Sequence, residues 1–282
     1  MSDTRPSQKK SIREGKFFPT MNMSGEKQMA LDVMLLEKVK KSSSISLAIR
    51  FYNWDGFYLS IGKNQKHIPE NWLSLVKRKE LQIVRRPSGG NAVLHGGGLT
   101  YSLFWKSPPR KKHEAYYLAN QWIIKGFAKF GVNLKFGNQI INTSEKNCFS
   151  TSTPADLVDQ NGQKRVGSAQ LWRKSHLLQH GEILLDPPKG LWKEIFSSKP
   201  PEPSSNSIPR EGLDEILYES CRLNWPEVNW QTAKLTQKDL AQITINSKKY
   251  TLEINQSLSS INPEERRLGK TINFGVIYGM GA

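Results

Sequence analysis

Apolar and polar positions along the 282-residue chain change period several times, and each change predicts an element. From Glu26 to Lys40 the run EKQMALDVMLLEKVK sets Met29, Leu31, Val33, Met34, Leu35 and Leu36 over one broad face, with lysines in the last turn, so it predicts a helix. Ile45 to Trp54 (ISLAIRFYNW) and Phe57 to Lys63 (FYLSIGK) are β-rich and flank Asp55-Gly56, a tight-turn dipeptide, which predicts a hairpin. Further strands are predicted over Leu81 to Arg85 and Ala92 to Lys106, with Pro87, Gly89 and Gly90 breaking the chain between them. Helical spacing returns from Glu114 to Phe130 and stops at Gly131. Strand signals follow at 132–136, 155–158, 164–172 and 177–185. This order is neither a strict βαβα alternation nor a run of sandwich strands, and it predicts an α+β domain, a mixed β-sheet flanked by helices.

The two ends of the chain read differently. Residues 1–20 are polar, basic and without period, so they predict a disordered arm with a short anchoring FFP at its end. The main domain is placed at 21–245, with 198–209 (SKPPEPSSNSIP) as a linker or loop. Beyond it, EGLDEILYESCRLNW and LTQKDLAQIT predict short helices in a small C-terminal lobe, and 246–282 is a C-terminal extension.

Composition narrows the class. No apolar run approaches the roughly 20 residues that span a bilayer, and the basic N-terminus lacks a signal peptide's apolar block, so a cytoplasmic protein with no membrane partner is expected. The two cysteines, Cys148 and Cys221, are too far apart in sequence to suggest a disulfide framework. A formal net charge of +16 draws acidic partners of any kind: nucleic acid, an anionic membrane or an acidic protein. Nucleic-acid binding is the rival class, with Trp172-Arg173-Lys174 as its best segment, but no recognised binding motif organises those charges. His176 and His180 lack a third ligand nearby, so no metal site is expected.

Two segments carry candidate chemistry. In VRRPSGGNAVLHGGGLTYS, Val84 to Ser102, glycines 89 and 90 let peptide N–H groups approach a ligand, and Arg85 or Arg86 offers a fork for an anion. The spacing matches neither the Gly-Lys-Ser/Thr phosphate loop nor the Gly-x-Gly-x-x-Gly turn, and composition alone fits a glycine-rich hairpin with solvated arginines equally well. In KRVGSAQLWRKSHLLQHGEILLD, Lys164 to Asp186, the small residues Gly167, Ser168 and Ala169 admit something packed closely on a strand face, and His180-Gly181 interrupts an apolar alternation. The Lys164 ammonium, placed beside an apolar wall, can bond a carbonyl or carboxylate, although a surface lysine is the commoner case.

Taken together these blocks resemble the lipoate protein ligase and octanoyltransferase family, which has a biotin/lipoate protein ligase-like catalytic domain. The family is similar in an arginine pair before a Ser/Thr-Gly-Gly turn, an Ala-Val-x-His strand and a Lys-x-x-Gly-Ser-Ala segment; EKQMALDVMLLE and IRFYNWDGFYLSIGKNQ also resemble its opening helix and first hairpin. The match covers roughly residues 26–200 in several ordered blocks. The resemblance implies that Arg86, Ser88, Gly89, Gly90, Val93 and His95 line an acyl pocket, with Ser168 and His180 nearby and Lys164 at the acyl carbonyl. Asn91 departs from the pattern, where the family often has glycine or arginine.

Within the family, a ligase makes lipoyl-AMP from ATP with Mg, whereas a transferase starts from a thioester and needs a nucleophile but no cofactor. The Cys148-Phe149 segment resembles the cysteine-dependent octanoyl-transferring branch, which makes Cys148 the implied nucleophile, though a free cysteine is often just a small buried hydrophobe. Positive charge from Lys164, or from His95 or His180, would depress its thiol pKa. The expected function is therefore transfer of an octanoyl or lipoyl group from acyl carrier protein to a lysine of a lipoyl domain of 2-oxoacid dehydrogenases or of glycine cleavage H protein; ATP-dependent ligation is the alternative. Both partners are acidic as families, which suits the charge. Cys221 is read as structural. A last block, PEERRLGKTINFGVIYGMGA, resembles a fragment of the finger-helix motif of family A DNA polymerases at Arg266, Lys270, Phe274 and Tyr278, without the paired carboxylates polymerase chemistry needs.

Overall fold

The computed structural model describes residues 13–137, 153–204 and 206–252. In chain order its elements are β1 (Arg13–Met23), α1 (Gly25–Lys41), β2 (Ile45–Trp54), β3 (Tyr58–Ile61), α2 (Glu70–Lys77), β4 (Gln82–Arg85), β5 (Val93–His95), β6 (Gly98–Lys106), α3 (Lys112–Ala128), β7 (Lys135–Phe136), β8 (Leu157–Val158), β9 (Lys164–Arg173), β10 (His176–Leu184), α4 (Lys189–Phe196), α5 (Leu213–Asn224), β11 (Val228–Thr232) and α6 (Gln237–Ser247). Eight strands form one mixed sheet in the order β11-β1-β2-β6-β10-β9-β8-β7, and three form a second, β4-β3-β5. The expected α+β architecture is what the chain adopts.

Strand β2 shows why the large sheet is central. Leu47 to Tyr52 are all buried, because both faces are covered. On one side Ile49 and Phe51 join Trp122, Ile123 and Phe127 of α3 and Leu217 of α5; on the other, Ala48 joins Leu31 and Leu35 of α1. Phe51 meets Trp122 edge-on, with centroids 5.9 Å apart. Each such large side chain withdrawn from water contributes about 1.5–3 kcal/mol, so the sheet and its helices hold together mainly by this burial.

Several expectations are corrected. The Asp55-Gly56 turn joins no hairpin: β2 pairs with β1 and β6, while β3 pairs with β4 and β5. A strand flanked on both edges has none left for β3, so the turn delivers the chain to the other sheet. The strand expected over Ala92 to Lys106 is likewise two strands in different sheets. It breaks at Gly96 (φ +118), a conformation glycine tolerates best, and Gly97 lies where a Cβ would come within 2.3 Å of the Asp186 carbonyl oxygen. Of the expected disordered arm, residues 13–20 lie in β1, whose parallel pairing with β2 and β11 supplies the hydrogen bonds that its composition did not reveal; residues 1–12 lie outside the described residues. The expected C-terminal lobe is part of the main body: α5 packs on α3, β11 extends the large sheet, and α6 packs on α1. The boundary placed at 245/246 falls inside α6, and Thr251 bridges back to Val84. Residues 253–282, with the polymerase-like block, lie outside the described residues. No helix among the described residues is long and apolar enough to cross a membrane.

Candidate active site

A cavity of about 460 Å³, counting its solvent-filled mouth, lies between the two sheets and α1. The large sheet contributes Tyr52, Trp54, Thr100, Gly167, Ser168, Ala169, His180, Gly181 and Glu182 to its wall. Ser60, Arg86, Gly90, Val93 and His95 come from the small sheet and its loop, and Met29 comes from α1. Gly90 is exposed, and Ser168, Ala169 and Gly181 are partly exposed, whereas Met29, Tyr52, Ser60, Thr100 and Glu182 are nearly sealed from solvent. The cavity therefore has a mouth beside the Gly89-Gly90 turn and a closed inner end.

The glycine turn is held by close backbone contact and by its own arginine. A Cβ on Gly62 would sit 2.0 Å from the Gly90 carbonyl oxygen, so only glycine lets the end of β3 approach the turn. Arg86 donates from Nη1 to the Ser60 carbonyl at 2.7 Å and from Nη2 to the carbonyls of Gly89 at 2.8 Å and Asn91 at 2.7 Å. Arg85 donates to the carbonyls of Gly62 and Gln65. In this structure Arg86 braces the turn itself, and Arg85 braces the neighbouring segment 62–65.

Two buried hydrogen-bond relays flank the cavity. In the first, Ser88 Oγ lies 2.5 Å from His180 Nε2, and His180 Nδ1 lies 2.9 Å from Asp32 Oδ2. Asp32 in turn accepts from Arg50 Nε at 2.9 Å, and Arg50 Nη1 donates to Gln28 Oε1 at 2.7 Å. Burial pulls the Asp32 carboxyl up, but Arg50 and His180 outweigh it and hold it below the usual carboxylate value. An ionised carboxylate only accepts, so His180 Nδ1 donates to Asp32, which leaves Nε2 facing the Ser88 hydroxyl. In the second relay Ser60 Oγ lies 2.8 Å from His95 Nε2, and His95 Nδ1 lies 2.8 Å from Glu182 Oε2. The same oxygen accepts from Thr100, which accepts from Trp54 Nε1 at 2.8 Å. Burial lowers the His95 pKa, more than Glu182 restores it, so the ring is neutral. It stacks on Trp54 with centroids 4.1 Å apart, forming a flat wall.

Lys164 does not line this cavity. Its buried ammonium pairs with Asp156 Oδ2 at 2.9 Å. The same oxygen accepts from the Thr153 amide at 2.8 Å, and Asp156 Oδ1 accepts from the Ser168 amide at 3.4 Å. Gly167, in the cavity wall, is three residues along β9 from Lys164, about 10 Å at the rise of a strand.

Of the residues singled out in the sequence, Arg86, Gly90, Val93, His95, Ser168 and His180 come together at the cavity. Ser88 stands behind it on His180, and Gly89 caps the turn. Cys148 lies outside the described residues. Cys221 is buried in α5, and burial pushes its thiol well above the usual value, which leaves it inert. His176 and His180 sit four residues apart on one strand, about 13 Å, too far to share an ion. Asp32, Arg50, Ser60, Thr100, Glu182, Trp54 and Met29 were missed. A signal existed for three: Asp32, Arg50 and Glu182 are single charges inside otherwise apolar runs, where an ion must be buried and therefore paired.

Comparison with known proteins agrees with this geometry. A family model described as "Lipoyl protein ligase A/B catalytic domain" matches residues 24–216. The chain is 38% identical over 220 residues to octanoyltransferase LipM of Geobacillus kaustophilus, covering 73% of this chain and 74% of that one. It is 33% identical over 246 residues to octanoyltransferase LipM of Anoxybacillus flavithermus, covering 83% and 82%. The match to LipM of Lysinibacillus sphaericus, 36% identical, spans 65% of that relative's length. Among solved structures, a putative lipoate protein ligase from T. acidophilum with bound lipoic acid superposes with a TM-score of 0.70 at 17% identity, covering 84% of this chain and 95% of that one. Lipoate-protein ligase A bound with ATP superposes at 0.69 and 16%, with the same coverage. At such identities the superpositions speak to the fold alone. The family match, the relatives and the shared fold meet on one conclusion: this chain belongs to the lipoyl protein ligase A/B catalytic domain family.

Proposed function

We propose that this chain is an octanoyltransferase of protein lipoylation, acting in the cytoplasm without a cofactor. It takes an octanoyl group from the pantetheine thioester of acyl carrier protein, carries it on Cys148, and delivers it to a lysine of a lipoyl domain of a 2-oxoacid dehydrogenase or of glycine cleavage H protein. The observation that carries this reading is the cavity between the sheets, open at the Gly89-Gly90 turn and closed at its inner end. Gly167 in its wall is three residues along β9 from Lys164, about 10 Å of backbone. The tail would occupy the slot between the Trp54–His95 stack and Gly167–Ala169, with the carbonyl toward Lys164.

The chemistry balances without an external energy source. The Cys148 thiolate attacks the thioester carbonyl, a new carbon–sulfur bond forms, and the bond to pantetheine breaks with the pantetheine thiol taking up a proton. The acceptor lysine, as a neutral amine, then attacks the enzyme thioester; a carbon–nitrogen bond forms, the bond to Cys148 breaks, and the amine proton returns to the sulfur. Lys164 donates to the acyl oxygen as it gains negative charge, held in place by Asp156. Thr153, which that same carboxylate anchors, is five residues on from Cys148, so the chain allows at most about 18 Å between the two positions. A net charge of +16 favours encounter with acidic partner domains.

The test incubates the protein with octanoyl carrier protein and a lipoyl domain, without ATP, and weighs the domain. A gain of one octanoyl group is expected. Modification that appears only when free octanoate, ATP and Mg are supplied would replace transfer by ligation.

A further inference from the structure

Asp32 occupies the middle of the buried face of α1 and has no solvent exposure. It stands at the head of a chain of bonds that ends on the cavity's glycine turn: Asp32 Oδ2 to His180 Nδ1, then His180 Nε2 to Ser88 Oγ. Gly89 and Gly90 are both exposed, and nothing lies within 4 Å of where a Gly89 Cβ would be, so the turn's close packing is confined to the side where Gly62 meets it. What fixes it from the small sheet is Arg86, together with the bond from the Lys63 amide to the Ser88 carbonyl. What fixes it to the large sheet and α1 is the Ser88–His180–Asp32 relay. The relay borders the cavity, because His180 itself lines it.

We infer that Asp32 is a positioning residue for acyl transfer, acting through His180 and Ser88 to set the Gly89-Gly90 turn. The inference rests on the proposed transferase reading, in which the acyl chain enters the cavity by the mouth beside that turn. Its physical basis is tautomer control. Asp32 gives one oxygen to Arg50 and the other to His180, so the proton of that second bond sits on His180 Nδ1 and Nε2 is the atom turned to the Ser88 hydroxyl. An Asn in its place must offer its single oxygen to the Arg50 cation and turn its NH₂ toward His180. That reverses the ring tautomer and the sense of the bond to Ser88, and the turn loses its orientation while the side-chain volume is kept.

Transfer kinetics and hydrogen exchange test this together. Asp32→Asn and Ser88→Ala are each expected to lower kcat for octanoyl transfer on the order of a hundredfold with KM changed less than about threefold, the signature of a misplaced rather than an unbound group. Ser88→Thr, which keeps the hydroxyl, is expected to restore most of the rate. The Asp32→Asn/Ser88→Ala double variant is expected to be no slower than either single one, because both cut the same relay. Amide hydrogen exchange of residues 86–92 should quicken in Ser88→Ala while β2 and β10 keep their protection. If Asp32→Asn does not fold, Asp32→Glu, which keeps the charge for Arg50 but displaces the carboxylate, should show the same kcat loss and loop-local exchange. Additive losses in the double variant, or unchanged exchange of 86–92 in Ser88→Ala, would overturn the inference. Absence of any transfer by the wild-type protein would instead strike the proposed function, since the exchange measurement reads the relay without it.

Discussion

Arg50 and Asp32 are both fully buried, with Nη2 and Oδ1 2.7 Å apart, and the pair is tied further to Gln28 and His180. Removing one partner strands the other charge in a medium that cannot solvate it, which costs far more than the intact pair contributes. Arg50→Met should therefore destabilise the protein by about 3–5 kcal/mol, measurable by urea unfolding. His95 gives a second residue-scale prediction. Its folded pKa lies below the ordinary 6.5, so below pH 6.5 the unfolded chain binds a proton that the folded chain does not, and stability must fall as the medium is acidified. The slope from this one group is at most about 1.4 kcal/mol per pH unit, and His95→Gln should flatten it; equal slopes for the two proteins would contradict a neutral His95. Partners of this kind were half legible. The sequences ISLAIRFY and LLQHGEILL each show a single charge amid apolar neighbours, which announces burial, but nothing local tells which charge meets which.

At the scale of elements, period alone puts α1, α3, β4, β9 and β10 within a few residues of where they lie, whereas α2 and α4 were not foreseen. Pairing did not follow, and the reason is physical. A turn dipeptide specifies a change of direction, whereas partner choice depends on which strand edges remain open, a property of the whole sheet. Thus Asp55-Gly56 and Gly96-Gly97 both mark crossings from one sheet to the other. The glycines carry more local meaning. A methyl on Gly62 would meet the Gly90 carbonyl oxygen at 2.0 Å, a backbone atom that cannot swing aside. Gly62→Ala should displace the turn, lower stability by about 1–3 kcal/mol and impair transfer. In Gly89→Ala, by contrast, the methyl meets open space, and a thermal melt should show little change.

For the whole molecule, charge and cavity have separate tasks that experiment can divide. The net charge of +16 acts over a screening length of about 10 Å at 0.1 M salt, so it governs encounter with an acidic protein and not the filling of an apolar slot. Raising salt should increase KM for octanoyl carrier protein on the order of tenfold while leaving KM for octanoyl-pantetheine, which lacks the acidic protein, nearly unchanged. The cavity's existence was foreshadowed by Gly167-Ser168-Ala169 and by the Ser88-Gly89-Gly90 turn. Its inner wall was not, because Trp54, Thr100 and Glu182 meet only once three distant strands lie side by side. The central claim remains that the acyl group travels on sulfur. The most direct measurement is the intact mass of the protein after brief exposure to octanoyl carrier protein, with no ATP and no acceptor. The account predicts a gain of one octanoyl group, mapped to Cys148 and lost in Cys148→Ala; an octanoyl adduct that persists in Cys148→Ala, or none at all in a wild-type protein that still modifies its acceptor, would contradict it.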